Sequence, residues 1–279
     1  MHLLLAFTLF AHTHVDAAPG PKRTLDLASG IRMSYVEAGP QDAPPLVLLH
    51  GLGDTSRSWS LMLPELATRH HVYALDLRGH GDTQAPECCY TLADLAHDVV
   101  TFMDARRIER ADVVGHSLGS LVAQRLAVTR PDRVRRVALL GSTDTMVGTE
   151  VVEWLWSRVS AFGAAPDPAF VDEWQANPTP VEPEFLAKVK AETTAVPPRV
   201  WRSIAQVVRT EDPRPPLSRI QAPVLILWGE KDPAFPAAKQ ADLRRALPEA
   251  RFRPFPRVGH NLHWEIPQEV AAELTEFLR

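Results

Sequence analysis

The chain has 279 residues, 45% of them apolar, and a formal net charge of −4. That length suits one domain with a full hydrophobic core plus an insertion, and a slightly acidic balance with no basic cluster argues against a nucleic-acid partner. No apolar run is long enough to span a bilayer. There is no phosphate-cradling glycine loop and no Cys/His ligand grouping, and His12 and His14 are too isolated to make a metal site, so neither a metal nor a cofactor is expected.

In chain order, residues 3–11 form an apolar stretch and Val15-Asp16-Ala17 resembles a small-residue cleavage site. Residues 1–17 thus read as a signal peptide that exports the protein to the periplasm or the medium. The lack of Lys and Arg ahead of the apolar stretch favours the alternative, an N-terminal extension on a cytoplasmic protein. Segments 25–28 and 31–37, joined at Ser29-Gly30, read as a β-hairpin. Pro44-Pro45 admits a buried strand over 46–49, followed by the loop His50-Gly51-Leu52-Gly53. A helix is expected over 59–68, and a strand over 71–75 that ends at Asp76. Cys88 and Cys89 are adjacent in a loop; they can form only a strained vicinal disulfide or stay free, and free thiols are expected. Thr91 caps a helix over 91–105.

Residues 111–114 are a short β-branched strand, and Leu118 to Thr129 carry apolar residues at helical spacing, closed by Arg130-Pro131. Between them stands Gly115-His116-Ser117-Leu118-Gly119. A strand turning sharply into a helix strains the corner residue and lifts its side chain clear of the sheet, while the glycines let the backbone pass closely. Ser117 is read as a nucleophile rather than as an ordinary helix N-cap. After a strand at 134–140 the pattern changes: residues 145–212 hold no strand run, several prolines, and Trp154, Trp156, Phe162, Phe170, Trp174, Phe185 and Trp201. This segment reads as a cap of three or four helices, returned by the stiff Pro213-Arg214-Pro215-Pro216. A buried strand over 223–229 leads to Glu230-Lys231-Asp232, a strand over 252–255 leads to Gly259-His260, and a helix over 267–278 closes the chain.

A serine needs a base, and the base needs an acid to fix its tautomer. Behind such an elbow the order along the chain is serine, acid, histidine. Asp232 and His260 stand in that order at strand ends, where parallel sheets gather their active groups. His263 is the nearby rival for the base, better read as a rim or core residue.

The chain resembles the α/β-hydrolase family, in its small form with a helical cap. The matching residues are His50-Gly51-Leu52-Gly53, Asp76-Leu77-Arg78-Gly79-His80-Gly81, Gly115 to Gly119, Trp228-Gly229-Glu230-Lys231-Asp232, and Gly259-His260 with Glu265 and Pro267 behind it. The resemblance implies an α/β fold: a mostly parallel eight-stranded sheet with helices on both faces and a helical cap inserted after strand 6. The core would be 18–144 and 213–279, and the cap 145–212. It implies the triad Ser117, Asp232 and His260, with Asp144 the alternative acid because some relatives place theirs after the preceding strand. It also implies an oxyanion hole made by the backbone N–H groups of Leu52 and Leu118, with His50 structural behind the loop and the Arg78 to Gly81 turn structural too.

A serine at the elbow speaks against the carboxylate chemistry of epoxide hydrolases and haloalkane dehalogenases. The expected partner is a hydrophobic small-molecule ester or lactone, since the chain also resembles enol-lactonases. Trp154, Trp156, Trp174 and Trp201 are the pocket candidates. The alternatives are a carbon–carbon hydrolase of the meta-cleavage-product type, a cofactor-free perhydrolase and a non-catalytic ligand receptor. For the first, Trp264 four residues after His260 fits, but Asn261 replaces the expected tryptophan.

Overall fold

The apolar runs sort onto two faces of one sheet. A computed structural model describes residues 20–210 and 216–279; the signal expected over 1–17 and most of the linker 213–216 lie outside the described residues. The hairpin is β1 (Lys22–Asp26) and β2 (Arg32–Ala38), antiparallel with Lys22 opposite Val36. Six strands follow: β3 (Pro45–Leu49), β4 (His71–Leu75), β5 (Ala111–His116), β6 (Val134–Leu140), β7 (Val224–Gly229) and β8 (Arg251–Phe255). The eight-stranded sheet runs β1-β2-β4-β3-β5-β6-β7-β8, with β2 antiparallel to β4 and all later pairs parallel.

Side chains alternate across a strand, so Val47, Leu49, Val113, Val137, Leu139 and Ile226 face one layer while Leu46, Leu48, Val114, Ala138, Leu140, Leu225 and Leu227 face the other. The helices of the core are α1 (Leu63–Leu66), α2 (Leu92–Ala105) and α3 (Leu118–Thr129). The cap follows as α4 (Glu150–Val159), α5 (Pro168–Trp174), α6 (Pro183–Ala195) and α7 (Pro198–Thr210). The core resumes with α8 (Ala237–Ala246), α9 (Leu262–Glu265) and α10 (Pro267–Phe277). Leu95, Leu121 and Leu243 of α2, α3 and α8 join the first layer, and Leu66 and Leu274 of α1 and α10 the second. The helices thus cover both faces, and four of them stand between β6 and β7. Among the described residues no helix is long and apolar enough to cross a membrane.

Thr91 caps α2 as expected: its hydroxyl accepts from Asp94 N at 3.0 Å while the Asp94 carboxylate accepts from Thr91 N at 2.9 Å, a reciprocal box of about 1 kcal/mol. Two expectations need correction. The helix over 59–68 is instead a 3₁₀ turn, Ser56–Trp59, followed by the single turn α1. Pro64 has no N–H to give to the preceding turn, although Trp59, Met62, Leu63 and Leu66 are all buried. Cys88 and Cys89 are not free thiols but a vicinal disulfide. Cys89 sits at φ 74°, a left-handed turn that breaks the usual alternation of neighbouring side chains. Its carbonyl accepts from Arg78 Nη1; the same guanidinium forks onto the Asp98 carboxylate at 2.6 and 2.7 Å.

Candidate active site

Ser117 stands between β5 and α3 at φ 50° and ψ −117°, a conformation that costs a residue with a β-carbon about 1–3 kcal/mol. Its surroundings impose it. Ser117 N donates to Leu140 O at 3.0 Å, and its carbonyl accepts from Ser120 Oγ at 2.6 Å. A Cβ on Gly115 would lie 2.2 Å from Gly119 O, and one on Gly119 would lie 2.1 Å from Leu49 O. Both glycines are therefore needed for close approach rather than for their dihedral angles.

The loops after β7 and β8 meet beside this corner. Lys231 N donates to Val258 O at 2.8 Å, tying the two loops together. Asp232 Oδ2 accepts from His260 Nδ1 at 2.8 Å, while Oδ1 accepts from Ala234 N at 2.8 Å and Phe235 N at 3.1 Å. Behind the histidine, the Glu265 carboxylate accepts from Gly259 N at 2.9 Å and, from the cap, Thr179 N at 3.2 Å. Burial disfavours the His260 imidazolium, but the charge and hydrogen bond of Asp232, with Asp54 and Glu265 further out, outweigh it and hold the group above its ordinary value of 6.5. If His260 is the general base, it works in its neutral form, so activity should be full at alkaline pH and fall as pH drops through this raised value. The acid limb of kcat/KM should be a single ionisation centred above 6.5; a midpoint below it in a pH–rate profile would contradict the arrangement.

The loop after β3 is set by His50. Its Nε2 accepts from Leu77 N at 2.9 Å, which leaves the proton on Nδ1, donated to Gly51 O at 2.7 Å. Burial, then the neighbouring His80, pushes this imidazole down to about 3, so it stays neutral. Asp54 N also donates to Gly51 O, at 3.2 Å. With that carbonyl pinned behind the loop, the planar trans peptide aims the Leu52 N–H the opposite way. Leu118 N–H lies at the N-terminus of α3, where the helix dipole favours negative charge. His50 is structural, as expected, and its task is to orient this peptide.

A cavity of about 380 Å³ opens on these groups; Ser117, His260, Leu52, Trp154, Trp174 and Phe235 line it. Trp154 and Trp174 stack with ring centroids 6.1 Å apart, and Trp174 Nε1 donates to Leu52 O at 3.0 Å. The other two tryptophan candidates pack elsewhere. Trp201 is fully buried, edge-on to Trp174 and against Gly53, because it lies on the inward face of α7. Trp156 carries the Arg209 guanidinium 5.5 Å from its ring, outside the cavity. Asp144 makes no contact with His260: it accepts from Thr143 Oγ1 at 3.2 Å and lies 3.9 Å from Lys239 Nζ. His263 is buried, bonded to Ser58 Oγ at 2.8 Å and packed on Trp59 and His116.

Several residues at the site carry no readable signal in the sequence. His116 occupies the free position of the elbow motif, yet its Nε2 bonds the His260 carbonyl at 3.1 Å. Gln175 Nε2 donates to Asp54 Oδ1 at 3.0 Å and Thr193 Oγ1 at 2.8 Å, and Glu192 takes Thr55 Oγ1 and Arg57 Nε, each at 2.7 Å. These bonds seat α5 and α6 on the loop after β3. Glu265 was visible only as a matching residue, without a task.

The model of the Alpha/beta hydrolase family matches residues 46–273. The chain belongs to the α/β-hydrolase family. It is 30% identical over 270 residues to the dihydrolipoyllysine-residue acetyltransferase component of an acetoin cleaving system from Pseudomonas putida, covering 95% of this chain and 71% of that protein. A hydrolase from Pseudomonas aeruginosa PA01 superposes with a TM-score of 0.84 at 27% identity, covering 94% of this chain and 99% of that one. The enol-lactonase from Burkholderia xenovorans LB400 gives a TM-score of 0.81 at 26% identity, with 92% and 99% covered. With such relatives in this family, the chain is an enzyme of the hydrolase class.

Proposed function

We propose that this α/β-hydrolase cleaves carboxylic esters or lactones of hydrophobic small molecules through an acyl-enzyme on Ser117. The observation that carries this reading is that the strained Ser117 corner and His260, bonded to Asp232 at 2.8 Å, face one cavity. Ser117 Oγ attacks the carbonyl carbon and gives its proton to His260 Nε2, while Asp232 keeps the other proton on Nδ1. The oxyanion takes the N–H groups of Leu52 and Leu118, each such donor contributing about 2.7–4 kcal/mol in the transition state. Collapse expels the alkoxide, protonated by His260; water, deprotonated by the same nitrogen, then frees the acid and Ser117. A 4-nitrophenyl butyrate assay combined with a fluorophosphonate label located by peptide mass spectrometry tests it. Turnover with label on Ser117 is expected, and label on any other residue would refute the assignment.

Carbon–carbon hydrolysis has no observation in its favour: Trp264 is buried and donates to Ser58 O at 3.0 Å, outside the cavity lining. For the cap, Trp154→Ala should shift the preference among ester chain lengths by roughly 10–200-fold, the discrimination a methylene-sized change gives in an apolar pocket. Trp156→Ala should leave the preference unchanged. A panel of 4-nitrophenyl esters reads both, and an unchanged profile in Trp154→Ala would move specificity to the core loops.

A further inference from the structure

Among the described residues, the cavity that holds Ser117 and His260 has no lysine or arginine in its lining, but it has three carboxyl groups: Asp54, Glu150 and Glu173. Glu150 and Glu173 are exposed at its mouth, and Glu173 is bridged to Arg158 at 3.1 Å, so water and salt screen them. Asp54 is different. It is 4% exposed, directly behind the oxyanion loop. Its Oδ1 accepts from the neutral Gln175 side chain at 3.0 Å, and its Oδ2 lies 3.9 Å from His116 Nδ1.

His116 supplies no counter-charge. Its Nε2 donates to the His260 carbonyl at 3.1 Å, so Nδ1 is the lone-pair nitrogen, and it is buried without a hydrogen-bond partner. Burial, with His263 and His260 beside it, keeps this imidazole far below its ordinary range. The other charged groups that act on Asp54 are Glu192 on α6, itself bridged to Arg57 at 2.7 Å, and His260. Among the described residues, no lysine or arginine faces the Asp54 carboxyl.

We propose that Asp54 is a specificity-determining residue that turns away substrates bearing a carboxylate, leaving uncharged or cationic esters and lactones as the substrate class. This rests on the serine-hydrolase reading given above. A carboxylate entering the cavity loses water and, with His260 neutral in the active form, finds no lysine or arginine among the described residues to replace it. It also meets a second carboxyl that is itself buried, where like charges repel more than in bulk water. Burial pushes Asp54 up to about 7, so its floor of the cavity passes from neutral to anionic as pH rises through neutrality. The bias against an anionic substrate therefore grows with pH. Glu150 and Glu173 add only a background.

The test compares kcat/KM within two ester pairs from pH 6 to 9. One pair is mono-4-nitrophenyl adipate and its methyl ester, with the charge on the acyl side; the other is 4-butyryloxybenzoate and its methyl ester, with the charge on the leaving group. Because kcat/KM reports ionisations of the free enzyme, the His260 titration cancels in each charged-to-uncharged ratio. In at least one pair the ratio should fall roughly tenfold or more as pH rises. Asp54→Asn keeps the volume and an oxygen for Gln175, and in it the ratio should be independent of pH. Glu173→Gln should retain the wild-type pH dependence. A ratio that is flat in both pairs, or that falls equally in Asp54→Asn, overturns the proposal while leaving the serine-hydrolase reading intact. Absence of turnover of every ester removes both together.

Discussion

Ser117→Ala is expected to lower kcat for a 4-nitrophenyl ester by on the order of a millionfold. The proposed oxyanion donors, the N–H groups of Leu52 and Leu118, belong to the backbone and survive the substitution, as does the His260–Asp232 bond of 2.8 Å. On the proposed mechanism the loss measures the nucleophile, and the remaining rate should be the modest acceleration over water that binding and the oxyanion hole supply alone. Alanine keeps a β-carbon at φ 50°, so the corner stays strained and the melting temperature should move little. A stopped assay with high enzyme concentration reads the residual rate, and the fluorophosphonate label should disappear with it. Retention of more than a hundredth of the rate would mean that another group attacks the carbonyl.

Asp232→Asn should cost about four orders of magnitude in kcat with the fold intact. The reason lies in the turn after β7. Asp232 Oδ1 accepts from Ala234 N at 2.8 Å and Phe235 N at 3.1 Å, so the oxygen of an asparagine must stay on that side. Its NH₂ then faces His260 Nδ1 and donates to it. That forces the histidine proton onto Nε2, the nitrogen that in the proposed mechanism must accept the Ser117 proton. The substitution also removes the charge that raises the His260 pKa, so the residual activity should show its acid limb at lower pH. Asp144→Asn, which alters only the contacts with Thr143 and Lys239, should change kcat by less than about twofold, as a remote surface-like change does. Steady-state kinetics on the two variants decide between the acids, and a reversed order would transfer the role to Asp144.

Much of this architecture is legible in the sequence because its signals are local. The strands at 71–75 and 134–140 and the helix from Leu118 to Thr129 match the structure residue for residue. Each is a short apolar or periodic run, in the second strand broken by Arg135 and Arg136. The elbow is legible for the same reason: five consecutive residues between a strand and a helix state the corner and its lack of room. The order of Ser117, Asp232 and His260 follows from which strand each one ends.

Where tertiary packing chooses among equivalent local patterns, the sequence falls short. The helix α8 (Ala237–Ala246) leaves no such signal, since Leu243 and Gln240 are its only buried residues and it shows no apolar stripe. Four cap tryptophans look alike in the sequence, yet Trp154 and Trp174 reach the cavity while Trp201 and Trp156 do not. That choice depends on how α4, α5 and α7 rotate over the sheet. The same packing sets Gln175 against Asp54, 121 residues apart, and His116 against the loop of His260, 144 residues apart. Neither pairing leaves a periodicity or a spacing to read. The sheet, the corner and the order of the three polar side chains are written locally in the chain, because hydrophobic periodicity and steric necessity act within a few residues. Which groups line the cavity and what charge it carries emerge only from packing, because burial and electrostatics depend on distances through space between segments far apart in the chain.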